Sequence, residues 1–546
     1  MDTLLIQPYI VQYRLKKQGI PGHFIPIVGD ILKIRAALKL GTPFDYSDQL
    51  FNKYGDYYYS SFGPAARLAT CDPSIMNYVL NKNSKSYHKS TLMKSSIGSL
   101  LGQHNLLLTE GQLHAMHRKA ISPAFHYNNL KSMHKNIYNS TVELCDAWSS
   151  AIDSSMDESV ERNMHVEMSS LTLDVVSTNV FGTSSAKSSQ VKKQVYNILQ
   201  ESLHAFQQRI FNMTGIIPFI RDLPLPNKLI VQRSRQQLQL LISDIISDRK
   251  CGRSSKMTED NDLLDLLLSA EIDDKVTGKK FHFTDDEIYG QAITFVLAGH
   301  ETTSNLLTWT FANLVQNPDV LHTLQHELDS VLHGDAPVHD KLQQLQYTEF
   351  VLMETLRLIG PVANIVRTAV EDNVVVASDG KHIKIHKGCG ILLNFQRLHT
   401  DSKHWENPRK FDPSRFGDYS AAHPSQQNGS SSSKESSNGG TGTSDGLDDE
   451  VDTMTSKYTN KRKRISPYTL LPFSAGPRSC IGQNFAMLEA KVILASILQR
   501  FNIELVPGQK IEPSVMITVR VKGGLMIKLS KRTQFNEYIK QTQPKQ

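Results

Sequence analysis

The residues best placed to do chemistry lie in "LLPFSAGPRSCIGQNFAMLEAK", residues 470–491, where Phe473, Gly476, Arg478, Cys480 and Gly482 make the pattern F-x-x-G-x-R-x-C-x-G. Apolar residues at Phe485, Leu488, Val492, Ala495 and Leu498 predict a helix that starts just after the cysteine. A thiolate there faces the helix's unpaired N–H groups and the positive end of its dipole, with Arg478 nearby, and both favour the ionised sulfur. The glycines allow the backbone to close around a flat ligand with no Cβ in the way. An isolated cysteine is ordinarily a small buried hydrophobe. Five fixed positions in one short loop point instead to a ligand that the loop presents.

Two other segments carry unusual polar pairs. "AGHETTS", residues 298–304, sits inside a stretch that reads as one helix from Asp285 to Gln316, opened by a Thr284/Glu287 capping box and closed at Asn317-Pro318. An interior glycine costs about 1 kcal/mol relative to Ala, so Gly299 followed by Glu301 and Thr302 needs a reason. "HETTS" fails as a zinc-protease motif because Ser304 stands where the second histidine must be. In "ETLRL", Glu354 and Arg357 lie three apart on one helix face, which by itself describes a surface ion pair. His114 and His117 have the spacing of a metal pair but no third ligand accompanies them.

Together these segments resemble the cytochrome P450 family, haem-thiolate monooxygenases, in its eukaryotic microsomal-type form. The resemblance runs over roughly residues 20 to 530 and includes "NFQRLHTDSKHWENPRKFDPSRF", residues 394–416. It implies a mainly α fold with minor β (α+β), with a long central helix over the haem and small sheets at the edge. It also implies haem b, its iron taking an axial thiolate from Cys480 within the loop of Phe473, Gly476, Arg478 and Gly482. By the same resemblance the long helix loosens at Gly299, Thr302 donates a hydrogen bond to dioxygen and Glu301 helps carry protons. Arg118, Arg367 and Arg478 match the arginines at the haem propionates, while His114 occupies the position of the family's Trp and can still donate to a carboxylate. Arg415 would complete a buried network with Glu354 and Arg357. Phe295, Val296, Ala298, Val362 and Ala363 are candidate pocket walls.

The function implied is insertion of one atom of O2 into an apolar small molecule. The electrons would come from a separate NADPH-dependent flavin reductase, because the chain carries no flavin fingerprint. A haem-thiolate isomerase or dehydratase that needs no external electrons would share the cysteine loop but commonly lacks the acid-Thr pair. A non-catalytic haem-binding protein would need the ligand alone. The resemblance also implies the cytoplasmic face of the endoplasmic reticulum membrane, and no nucleic acid partner.

The elements that must position these residues follow from the rest of the chain. Its 546 residues are 39% hydrophobic and 21% charged, with a net charge of +6, the composition of an ordinary globular protein. Five cysteines without paired spacing argue against a disulfide framework. Helical periodicity dominates, and "DYYYSSFG" and "KGCGILLNF" read as strands. Residues 23–416 and 467–530 form the expected catalytic domain, and 531–546 a tail. Residues 417–466, rich in Ser, Gly and Asn, read as a disordered surface insertion whose "KRKR" is a solvated charge run rather than a nuclear address. No run of 18 apolar residues occurs, so residues 1–22 read either as a frayed end or as a segment lying on a membrane surface, in a soluble or truncated form. "NMTGIIPFIRDLPLPNK" is a second candidate for peripheral membrane contact.

Overall fold

The computed structural model describes residues 6–182, 225–251, 262–273, 280–417, 468–515 and 517–532, with short stretches between 194 and 223. The expected insertion and most of the apolar Pro-rich connection at 212–228 lie outside the described residues. On either side of the insertion the chain is anchored, with Phe416 and Leu470 both buried.

Helices dominate. Those that build the site are α1 (Gln7–Lys17), α2 (Gly111–Ile121), α3 (Met164–Phe181), α4 (Asp285–Gln316), α5 (Gln346–Ile359) and α6 (Gln483–Arg500). Five strands, β1 (Tyr57–Phe62), β2 (Ala65–Thr70), β3 (Tyr87–Lys89), β4 (Asn364–Ala369) and β5 (Gly390–Asn394), form one sheet in the order β1-β2-β5-β4-β3. Only the β2/β5 pairing is parallel. This is the mainly α arrangement with minor β that the sequence implies.

The 32-residue α4 is the axis of the larger core, about 48 Å long at 1.5 Å per residue. Its predicted capping box is present: the Glu287 backbone N–H donates to Thr284 Oγ1 at 3.3 Å and the Thr284 N–H donates to Glu287 Oε2 at 2.9 Å. The expected loosening at Gly299 is not observed, since α4 is α-helical from end to end. Gly299 has a packing reason instead. A Cβ there would stand 2.9 Å from Val176 Cγ2, so the glycine is what lets α3 pass close against α4.

The second core lies at the sheet and takes in the amino-terminal helix. Val11 and Leu15 of α1 are buried with Tyr58, Leu68 and Leu392. Gln18 Nε2 donates to the Lys384 carbonyl at 3.1 Å, and Lys381 Nζ donates to the Gly19 carbonyl at 3.0 Å. The segment is therefore docked rather than frayed, with Ile6, Tyr9 and Tyr13 exposed on its outer side. Among the described residues no helix is long and apolar enough to cross a membrane.

Candidate active site

The cysteine loop is closed by two backbone bonds of 2.9 Å, Cys480 N–H to the Phe473 carbonyl and Ser479 N–H to the Gly476 carbonyl. Gly476 has φ +70°, and a Cβ on it would lie 2.1 Å from the Leu80 carbonyl oxygen, so only glycine fits. Gly482 is the N-cap of α6, which puts Cys480 at the positive end of that helix as its spacing predicts. The cysteine side chain opens into a cavity of about 1630 Å³.

Phe473, Ile481 and Phe485 line this cavity beside the cysteine, and Phe295, Ala298, Gly299 and Thr302 line it from α4. Val362 and Ala363 add a wall after α5. Val296 does not join them. It is fully buried in the core, because one helical step of about 100° from Phe295 turns it away from the cavity.

Thr302 Oγ1 borders the cavity and donates to the Ala298 carbonyl at 2.7 Å. Adjacent Thr303 makes no such back-bond, and its buried hydroxyl faces the Glu489 carboxyl instead. That hydroxyl is the polar group that acts on Glu489 of α6, whose two carboxyl oxygens are buried. Burial pushes the Glu489 pKa well up, so the group is a neutral acid.

Glu301 behaves differently. Arg520 Nε and Nη2 donate to it at 2.8 and 2.5 Å, Thr518 Oγ1 at 2.5 Å and Asn305 Nδ2 at 3.3 Å. Burial alone would raise its pKa, but the hydrogen bond and charge of Arg520 prevail and hold the carboxyl ionised. The carboxylate thus clamps the hairpin of Pro513–Val515 and Val519–Val521 onto α4.

A cluster of cations occupies another part of the same cavity. Strand register sets Lys89 of β3 directly opposite Arg367 of β4, both less than a tenth exposed. Arg478 joins them through an ion pair with Glu110, which also accepts from the Lys89 backbone N–H at 2.8 Å. Arg478 Nη1 is nevertheless buried with no partner. Burial, then Arg478 and Arg367, push the Lys89 pKa down to about 6, and burial, then Arg478, lower Arg367 to about 10. His114 is buried in the same field, its pKa pushed to about 3 by burial and then by Arg478, Lys89 and Arg118, so it is neutral. Arg118 donates to the Ser479 carbonyl at 2.8 Å and to Ser479 Oγ at 3.2 Å, fastening α2 to the cysteine loop. Among the described residues one anion, Glu110, faces this excess of positive charge. A flat ligand with its own carboxylates, seated against the thiol, would satisfy it.

The Glu354–Arg357 pair is no surface bridge. Both side chains are fully buried, and Arg357 Nε and Nη2 each donate to Glu354 at 2.7 Å. Arg415 Nε reaches the same carboxylate at 3.2 Å. Arg357 also donates to the carbonyls of His399, Pro408 and Lys410, so the network stitches the 399–410 meander to α5.

Lys89, Glu110, Thr518 and Arg520 went unnoticed in the sequence. Glu110, just ahead of the helix bearing His114 and Arg118, offered the one local hint. His117 is tied to Glu287 at 3.3 Å and Gln291 at 3.0 Å on α4 and makes no metal pair with His114. Asp56, Cys71 and Asp401 converge elsewhere, but Lys403 lies 2.6 Å from Asp56 and Arg397 3.5 Å from Asp401, and burial pushes the thiol's pKa far up, so cations already balance the acids.

Comparison with known proteins bears on the family and the fold. The model of the family described as Cytochrome P450 matches residues 20–439 and 449–529. The chain is 28% identical to Cytochrome P450 709B1 of Arabidopsis thaliana, over 96% of this chain and 94% of that protein. It is equally 28% identical to the chloroplastic Cytochrome P450 97B2 of Glycine max, over 90% of this chain and 84% of the relative. Among solved structures, a retinoic acid-bound cyanobacterial CYP120A1 superposes with a TM-score of 0.72 at 23% identity, covering 94% of this chain and 99% of the other.

Proposed function

This chain belongs to the cytochrome P450 family, and we propose that within it the protein is a monooxygenase of an apolar small molecule, fed with electrons by a separate NADPH-dependent flavin reductase. The observation that carries the reading is that Cys480 and Thr302, about 180 residues apart in sequence, line one cavity with apolar walls and a cationic cluster.

The residues fit a haem. Cys480 would hold its iron, and Lys89, Arg367 and Arg478 would take its carboxylates, with Arg478 Nη1 supplying a donor that lacks a partner. Arg118 and neutral His114 support that end from behind. Haem bound through a thiolate supplies dioxygen activation and the oxidising power of the reaction, the thiolate favouring O–O cleavage. Phe295, Ala298, Val362 and Ala363 would orient the substrate and exclude water. The Thr302 hydroxyl keeps its lone pairs toward the cavity while its proton rests on the Ala298 carbonyl, so Oγ1 can accept and pass on a proton. Glu301, held ionised by Arg520, fixes the hairpin rather than storing a proton. Haem b, the reductase and the cytoplasmic face of the endoplasmic reticulum belong to this reading through resemblance to microsomal-type members, whereas the relative from Glycine max is named as chloroplastic.

Reconstitution with such a reductase tests the activity. NADPH and oxygen should be consumed together when an apolar substrate is added, and Thr302→Ala should uncouple the two from product by about tenfold or more. Product formed without oxygen would point to an isomerase instead.

A further inference from the structure

Histidines gather on one helix that stands apart from the residues lining the cavity. This helix, Pro318–Leu332, buries Leu324, Glu327, Leu328 and Leu332 on one side. His322 and His326 are exposed on the opposite side. With 3.6 residues per turn they stand about 40° apart around the axis, one turn apart along it, which puts their Cβ atoms about 5–6 Å from each other.

The backbone under the pair is held in place. Thr323 Oγ1 donates to the Asp319 carbonyl at 2.8 Å, and Gln325 Nε2 donates to the Leu498 carbonyl of α6 at 3.5 Å. The helix carries no lysine or arginine to repel a cation. Asp319 is exposed one turn before His322, and Asp329 follows one turn after His326, where Arg532 lies 2.7 Å from it. His333, the C-cap, is exposed too, but it comes seven residues after His326, about 10 Å along the axis.

A single exposed histidine needs no ligand to account for it. Two at i and i+4 on an anchored helix present two imidazole nitrogens to one point, the spacing by which helices hold zinc. We propose that His322 and His326 chelate one divalent first-row transition ion, of the nickel, copper and zinc class, with water completing its coordination. Imidazole nitrogen selects these ions over magnesium and calcium, which take oxygen ligands. Asp319 and Asp329 add favourable charge at either end of the pair, and His333 is too far along the axis to share the ion. Capture of the ion depends on neither haem nor oxygen chemistry.

Titration calorimetry of the untagged, haem-loaded protein with nickel chloride tests this, with magnesium chloride as the contrast. Nickel should bind and magnesium should not. His322→Ala and His326→Ala should each weaken nickel binding at least about tenfold, since losing even an outer partner of a metal ligand costs that much. His333→Ala should leave it unchanged. Both histidines of the pair are exposed, so each variant should keep the thermal midpoint and haem spectrum of the parent when no nickel is present. Absence of nickel binding in the parent, equal binding of magnesium, or nickel affinity that survives replacement of both His322 and His326 would overturn the proposal.

Discussion

Lys89 and Arg367 stand directly opposite each other on neighbouring antiparallel strands, both buried, with Arg478 adding a third charge of the same sign. Like charges in direct cross-strand register destabilise a sheet, and here burial together with those arginines pushes the Lys89 pKa down to about 6, toward the neutral amine. The pairing makes sense if an anion is seated against it. Removing Lys89 should therefore have opposite effects on the empty and loaded protein. Lys89→Met should raise the thermal midpoint of the haem-free form by a few degrees, since replacing a buried charge with an apolar side chain can stabilise by about 1–4 kcal/mol. The same change should speed haem loss to apomyoglobin severalfold. Lowered stability in the haem-free form with unchanged haem retention would contradict the assignment.

Glu489 gives a pH prediction. Its folded-state pKa is raised, so its contribution to stability is fully present below the ordinary carboxylate range and is lost as pH rises toward the folded value. Glu489→Gln removes that loss. The stability of the variant relative to the parent should climb as pH rises from about 4.5 through neutrality, by at most about 1.4 kcal/mol per pH unit. Urea titrations at several pH values check it, and a pH-independent difference would mean that the acid is not buried neutral.

Gly299 is expected to act through Val176. Ala favours the helix by about 1 kcal/mol over Gly, yet the added methyl meets Val176 Cγ2 at 2.9 Å, and overpacking costs about 1–3 kcal/mol. Gly299→Ala should therefore be neutral to destabilising alone, and Gly299→Ala with Val176→Ala should show a favourable coupling of about 1 kcal/mol or more in a double-mutant cycle. Additive effects would contradict the close approach of α3 and α4.

The buried network predicts a large single-site loss. Glu354→Gln leaves Arg357 fully buried without its counter-charge, which should cost about 3–5 kcal/mol and sharply reduce the folded fraction. Denaturant unfolding measures it. A change below about 1 kcal/mol would mean that water reaches the pair.

Much of this was readable along the chain because the signals are local. The capping box, the Asn317-Pro318 stop and the apolar spacing after Cys480 each lie within one helix or loop. The lone Lys89 of a three-residue strand carries no such pattern, and it meets Arg367 only through pairing across 278 residues. Arg520 likewise reaches Glu301 over a separation of 219 residues, which is why the acid reads as a proton carrier in sequence and as a clamp in the fold. Thr302 and Thr303 are adjacent and chemically alike, so only the helix's rotation decides that Thr303 is buried while Thr302 stays partly open to the cavity.

The carbon monoxide difference spectrum of the reduced protein addresses Cys480 itself. A red-shifted, thiolate-type band is predicted for the parent, to be lost in Cys480→Ala while the fold seen by circular dichroism persists. A parent without that band, or a Cys480→Ala variant that retains it, would contradict the assignment of Cys480 as the haem ligand.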